Sequence, residues 1–114
     1  MQAVLSEVPR SPLDWEVWAR AHRESHNLIL YTLRTRAENP IDLPDYPLEP
    51  LEESTMGDFL LRNQRMHVDF NGVLQLDNVD LSSVDFSDPA QLETWIYLHW
   101  RAHQSAEAAL GIGS

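Results

Sequence analysis

The sequence predicts an all-α fold, a three-helix bundle whose helices are joined by extended, Pro-rich straps. Three segments carry apolar residues at the spacing of an amphipathic helix, and each begins with a capping signal. Each segment also contains one copy of the same motif, an aromatic residue followed by two polar residues at intervals of four. Because residues four apart lie on one face of a helix, every copy forms a stripe along its helix.

Length and composition indicate one soluble domain covering residues 1–114. Hydrophobic residues make up 43% of the chain, which is enough to build one core. The absence of cysteine excludes disulfides, thiolate metal sites and cysteine nucleophiles. No apolar segment approaches the roughly 18 residues of a membrane helix, and the first residues lack the pattern of a signal peptide. We therefore expect no membrane partner.

The charge of the chain argues against nucleic acid as a partner. The formal net charge is −10 at pH 7, and all eight positive residues are Arg. A protein that binds a phosphate backbone needs a basic patch, which this composition does not favour.

The first helix is predicted over about residues 12–37. Ser11 can cap it, Pro12 suits the first helical position, and Asp14 stands three residues after the cap. Pro40 ends it. Its inward stripe holds the first copy of the motif, which consists of Trp18, His22 and His26.

The first connection contains four prolines in residues 40–50 and cannot be helical. It is also too apolar for a free linker, since it carries Ile41, Leu43, Tyr46, Leu48 and Leu51. We therefore expect it to lie against the helices as a strap.

The second helix is predicted over about residues 56–74, after the capping pattern Thr55-x-x-Asp58. The third is predicted over about residues 89–110, with Asp88 as its cap. Residues 76–86 between them form either a short strand or another strap. The second copy of the motif is Phe59, Asn63 and His67, and the third is Trp95, His99 and His103.

The direction of the helices decides which motif residues meet. All five histidines of the chain occupy motif positions, and the sixth polar position holds Asn63. Parallel helices would align the three copies as layers. An antiparallel middle helix would instead bring His67 to His22 and His99. Each connection is long enough to return along the bundle, so both arrangements are possible.

Two main interpretations of the histidines remain open. Neutral imidazoles and Asn63 can share hydrogen bonds in a polar layer without any cofactor. Alternatively, three histidines suffice to hold zinc with an open fourth position, as in a metal-binding protein or a metal-dependent hydrolase. The chain lacks the His-Glu-x-x-His pattern of helical zinc enzymes. Under the metal alternative the ligands are His22, His26, His67, His99 and His103. A third possibility places these side chains at an interface or partly in water.

No catalytic residue is predicted. Ser25 stands beside His22 and His26, but neighbouring residues on a helix face do not form a catalytic triad. We predict Ser25 to be a small residue at the edge of the core, and the protein not to be an enzyme.

Several segments resemble those of small virion-associated proteins of tailed bacteriophages. The matching features are Asp14-Trp-x-x-Trp18 with His22 and His26, Asp45-Tyr-Pro-Leu-Glu-Pro-Leu51, Arg65-Met-His67-x-Asp-x-Asn71, and Trp95-x-x-Leu-His99-x-x-x-His103-x6-Leu110-Gly-Ile112. They span nearly the whole chain. In the family pattern the middle copy also carries Trp and two His, whereas Phe59 and Asn63 stand here. The resemblance implies a small protein of the phage particle or of its assembly.

We therefore predict a structural or interaction protein, a small subunit of a bacteriophage head, connector or tail. Its expected partners are other virion proteins or further copies of itself, and its expected location is the virion, after assembly in the host cytoplasm. Tyr97 and Trp100 lie off the polar stripe, and aromatic residues outside a core are favoured interface anchors. We predict that these two residues contact the partner.

Overall fold

The computed structural model describes residues 3–35, 46 and 55–112. It contains helices α1 (Pro12–Thr35), α2 (Met56–Leu74) and α3 (Pro89–Ala109), preceded by a 3-10 turn at Ala3–Ser6. The described residues form no strand. The predicted all-α class and the three-helix arrangement are therefore confirmed. Helix α3 ends one residue earlier than predicted, and residues 36–37 of the predicted first helix lie outside the described part.

Helices α1 and α3 begin with the caps that the sequence predicts. Ser11 Oγ accepts a hydrogen bond of 3.1 Å from the Asp14 N–H. Asp88 accepts hydrogen bonds from the N–H groups of Ala90, at 3.0 Å, and Gln91, at 3.5 Å. These bonds satisfy N–H groups that have no partner within the first turn of a helix.

The predicted capping role of Thr55 is wrong. Helix α2 begins at Met56 as expected, yet the Thr55 side chain forms no capping hydrogen bond. Phe59 and Leu60 are buried in the first turns of this helix. Burial of this apolar face stabilises the start of α2 without a side-chain cap.

The three helices run in the same direction along the bundle. The aromatic residues of the three motif copies pack together, with ring centroids 5.8–6.1 Å apart: Trp18, Phe59 and Trp95. Four residues later on each helix, Asn63 lies beside His22 and His99. Since the contacts follow the same chain order on every helix, the parallel arrangement is the correct one.

Parallel helices require connections that return along the bundle, and residues 75–88 form one. Leu81 in this connection is buried. The Leu81 N–H donates to Gln64 Oε1 at 2.7 Å, and its carbonyl oxygen accepts from Trp95 Nε1 at 3.0 Å. The connection is therefore a strap against α2 and α3, not a strand.

Of the predicted Pro-rich strap, Tyr46 alone belongs to the described residues. It is buried, and its N–H donates to Asn27 Oδ1 of α1 at 2.7 Å. This contact agrees with a strap against the helices, and the other residues of that prediction lie outside the described part.

The polar stripe lies between two apolar clusters. One contains the motif aromatics together with Leu5, Leu81 and Ile96. The other contains Ile29, Phe70 and Ala106 from later turns of the three helices. The histidine positions are thus enclosed by the core at both ends. Within the described part of the chain, no helix has the length and apolarity needed to cross a membrane.

Candidate metal centre

The parallel bundle brings all five histidines to one place in the core. Each contributes one ring nitrogen, and these five atoms lie within 4.8 Å of one another. No histidine side chain is more than 2% exposed. The sequence motif therefore identified every histidine of the cluster. The possibility that these residues lie in water is wrong, because the three helices surround them.

The ring nitrogens and one amide oxygen form a closely spaced set of donor atoms. His22 Nε2 lies 3.0 Å from His26 Nε2 and 3.1 Å from His99 Nε2. His99 Nε2 lies 3.2 Å from His103 Nε2. Asn63 Oδ1 lies 3.0 Å from His22 Nε2 and 3.2 Å from His99 Nε2. Asn63 therefore belongs to the cluster.

Hydrogen bonding alone does not account for these distances. A neutral imidazole nitrogen has either one N–H or one lone pair, directed outward in the ring plane. His22 Nε2 has three polar neighbours within 3.1 Å, and it can direct a hydrogen bond to only one of them. Lone pairs that converge on a shared ion, by contrast, place all their nitrogen atoms close together.

The cluster also contains buried polar atoms without a hydrogen bond. Within the described part of the chain these are both ring nitrogens of His67, Nδ1 of His26 and of His99, and Asn63 Nδ2. Each such atom costs about 1–3 kcal/mol of desolvation. His67 pays this cost most clearly, because neither of its ring nitrogens has a hydrogen bond to another residue of the cluster.

Aromatic rings hold three of the imidazoles by stacking. Trp18 stacks on His22 with centroids 4.7 Å apart, and Trp95 stacks on His99 at 4.6 Å. Tyr46 stacks on His26 at 4.2 Å. Trp18 and Trp95 are themselves buried in the core. These stacks restrict the ring orientations before any ligand binds.

Burial keeps the imidazoles neutral. It lowers the pKa of His67 to about 3 and lowers the pKa of the other four histidines well below the usual value. Repulsion from neighbouring rings lowers the pKa of those four further. Hydrogen bonding to Asn63 opposes the shift at His22 and His26. The neutral ring is the form that binds a metal ion.

Ser25 and Glu107 form a second layer of contacts around His103. Ser25 Oγ lies 2.7 Å from His103 Nδ1 and donates to Glu107 Oε2 at 3.5 Å. If Ser25 donates to Glu107, then His103 Nδ1–H donates to Ser25, which leaves the Nε2 lone pair directed toward the cluster. Ligating histidines commonly have such outer partners. Burial also raises the pKa of Glu107.

The contacts of these two residues with the cluster were not predicted from the sequence. Ser25 is only 1% exposed and contacts His103, so its predicted place at the edge of the core is wrong. Glu107 follows His103 by four residues and is also buried. The signal was available, because the interval of four from Trp95 through His99 and His103 continues to Glu107.

A small cavity reaches the cluster from one side. Its volume is about 120 Å³, and His67, Asp77, Arg101 and Ser105 are among the residues that line it. It provides an approach for an ion to His67, whose side chain is 2% exposed.

The predicted interface residues lie on the part of α3 away from the histidines. Tyr97 is 56% exposed, whereas Trp100 is half-buried against the apolar cluster around Trp95. Their ring centroids are 6.2 Å apart. The two residues form one surface aromatic pair, and their role in binding a partner stays a prediction.

Fold and site together define a class of protein: a parallel three-helix bundle with a histidine cluster in its core. Comparison of the chain with protein families, with curated proteins and with solved structures gives no match. The site itself therefore carries the functional argument.

Proposed function

We propose that this protein binds one divalent transition-metal ion in its core, and that the ion holds the three helices together. The observation that carries the proposal is the set of five ring nitrogens within 4.8 Å, all in buried side chains. Imidazole is a good ligand for the later first-row divalent metals. One donor group comes from α2 and two come from each of α1 and α3, so an ion would link all three helices.

A structural role for the ion fits the site better than catalysis. A catalytic metal keeps an open position that water and substrate can reach. Here His67, which lines a cavity, is only 2% exposed, and that cavity measures about 120 Å³. The enclosure supports the expectation that the protein is not an enzyme, and it argues against a metal-dependent hydrolase.

Binding an ion would compensate part of the cost of the histidine cluster. Ordinary apolar residues at these positions would pack without unpaired nitrogens. An ion that binds only the folded chain stabilises it by about 4 kcal/mol when its concentration is 1,000 times Kd. That gain exceeds the roughly 1–3 kcal/mol cost of one unpaired buried polar atom.

Metal analysis of protein purified without a histidine tag tests the proposal. We expect one ion per chain after purification or after adding Ni²⁺, Co²⁺ or Zn²⁺ to chelator-treated protein, with a rise in Tm. His99→Leu should abolish the rise, while Gln104→Leu on the same helix should retain it. Circular dichroism checks that both variants fold. Chelator-treated wild-type protein that is folded but binds none of these ions would refute the proposal.

We also propose that the domain is a subunit of a larger assembly, which is the role that the phage resemblance implies. The supporting observation is the set of large apolar side chains exposed on the three helices: Leu13, Val17, Leu28, Tyr31, Leu61, Val68, Tyr97 and Leu98. Exposed apolar residues of this kind are candidates for contact with another protein. The virion location stays a prediction.

Sedimentation of the wild type and of two α3 variants tests the assembly role. Tyr97→Ser should weaken self-association or binding to particle proteins. Glu93→Ser changes an exposed residue of the same helix outside the apolar set and serves as the control. Strictly monomeric wild-type protein that also binds no purified particle protein would contradict this second proposal.

A further inference from the structure

We infer that the ion is six-coordinate, with one ring nitrogen from each histidine and Asn63 Oδ1 at the corners of an octahedron. This inference rests on the proposed metal binding and adds the ligand number, the role of Asn63 and the class of ion. It follows from the distances between donor atoms, from the pattern of ring contacts and from the geometry of the repeated motif.

The distances between donor atoms match an octahedron. With metal–nitrogen bonds of about 2.1 Å, neighbouring donors lie about 3.0 Å apart at octahedral angles and about 3.4 Å apart at tetrahedral angles. The five close contacts in the cluster measure 3.0–3.2 Å. Three of them join His22, Asn63 and His99 into a closed triangle, which corresponds to one face of the octahedron.

The ring contacts indicate which donors stand opposite each other. In an octahedron every corner has four neighbours and one opposite corner. Every pair of histidine rings has centroids 4.4–5.2 Å apart, except two pairs. Among these described residues, His22 has no ring contact with His67, and His26 has none with His99. We therefore place the two members of each such pair at opposite corners of the octahedron. The two remaining corners, His103 and Asn63, then lie opposite each other.

The repeated motif produces this arrangement. The first polar residues of the three copies form one triangle, and the second form another, one helical turn away. Four residues advance a helix by one turn plus about 40°, so the second donor on each helix is displaced sideways. Because the three helices are parallel, all three second donors are displaced in the same rotational sense about the axis of the bundle. The second triangle is therefore rotated against the first, as the two opposite faces of an octahedron are.

Asn63 is then a ligand and not a gap in the histidine pattern. Its oxygen is neutral and is the harder donor of the set, and its distances to His22 and His99 equal those between ring nitrogens. Zinc in structural sites is almost always four-coordinate and tetrahedral. Five imidazoles with one amide oxygen instead suit Fe²⁺, Co²⁺ or Ni²⁺. The zinc that the sequence offered as an alternative is therefore less suitable here than an ion of this octahedral class.

The visible spectrum of Co²⁺-loaded protein tests the inference, since octahedral Co²⁺ absorbs weakly and tetrahedral Co²⁺ absorbs intensely. We expect a weak spectrum for the wild type. Asn63→His keeps six donors and should keep the weak spectrum. Asn63→Leu removes one donor and should increase the absorption and reduce Ni²⁺ affinity by about 10-fold or more, at least the loss typical of an outer-shell partner.

The outcomes separate the inference from the proposed function. Stoichiometric Co²⁺ with an intense tetrahedral spectrum in the wild type would overturn six-coordination and leave metal binding in place. Unchanged spectrum and Ni²⁺ affinity in Asn63→Leu would likewise overturn the role of Asn63. Failure to bind Co²⁺, Ni²⁺ and Zn²⁺ would refute both proposals. Should Asn63→Leu not fold, the wild-type spectrum still decides the coordination number.

Discussion

His67 differs from the other histidines in its surroundings. Neither of its ring nitrogens has a hydrogen bond among the described residues, whereas His99 Nε2 contacts Asn63 Oδ1 at 3.2 Å. The cost of burying the His67 ring is therefore not offset within the metal-free chain. Under the proposed metal binding, the ion is the partner of this ring.

His67→Leu should consequently have opposite effects with and without metal. In chelator-treated protein we expect stability equal to or above that of the wild type, because the unpaired nitrogens are removed at a gain of up to about 1–3 kcal/mol. With Ni²⁺ present, the increase in Tm should be smaller than in the wild type. Denaturant unfolding with and without chelator measures both effects.

His99→Leu is the matched control for that experiment. It leaves the neighbours of His99 without a partner and should lower stability in chelator-treated protein as well. Equal destabilisation of both variants without metal would show that His67 has a partner in the metal-free fold. That result would contradict our account of its role.

Helices α2 and α3 differ in how their first turns are stabilised. Asp88 before α3 accepts hydrogen bonds from the first turn, while Thr55 before α2 forms no side-chain cap. The capping signal of α2 in the sequence therefore has no counterpart in the structure. Packing of Phe59 and Leu60 stabilises the start of that helix instead.

Asp88→Ala should reduce the free energy of unfolding by about 1 kcal/mol, the usual effect of removing a capping side chain. Thr55→Ala provides the comparison, because it removes no capping hydrogen bond and should have the smaller effect. Chemical denaturation in the presence of saturating metal measures both. An unchanged free energy of unfolding in Asp88→Ala would contradict the stabilising role of this cap.

At the scale of the whole molecule, the histidine cluster makes stability depend on pH. Burial lowers the pKa of these rings in the folded state, and of His67 to about 3, while unfolded histidine has a pKa near 6.5. The unfolded chain therefore binds more protons below about pH 6.5. Stability is fully present above that pH and decreases as the pH falls.

For chelator-treated protein we expect His67 alone to account for a loss of about 2 kcal/mol between pH 7.5 and pH 5, by the linkage of protonation to folding. Urea denaturation at several pH values measures the loss, and His67→Leu should make the dependence less steep. Stability that does not change over this range would mean that the rings are accessible to protons in the folded state.

The sequence by itself determined the helices and the donor set. Amphipathic periodicity predicted the bounds of α2, and periodicity together with the caps at Ser11 and Asp88 located α1 and α3 within the described residues. The interval of four placed His22, His26, His67, His99, His103 and Asn63 on inward faces, where the structure has them. Periodicity determines such features because each depends on residues within a few helical turns.

Only the tertiary structure decided the direction of the helices and the partners of each ring. Periodicity identifies the buried face of a helix, but a helix buries the same face in either direction. Both connections are also long enough for parallel or antiparallel helices. The contact of Ser25 with Glu107 joins residues 82 apart in the chain. Such contacts depend on how the helices pack together. The meeting of Asn63 and the five histidines around one point is a property of three parallel helices, which no single segment contains.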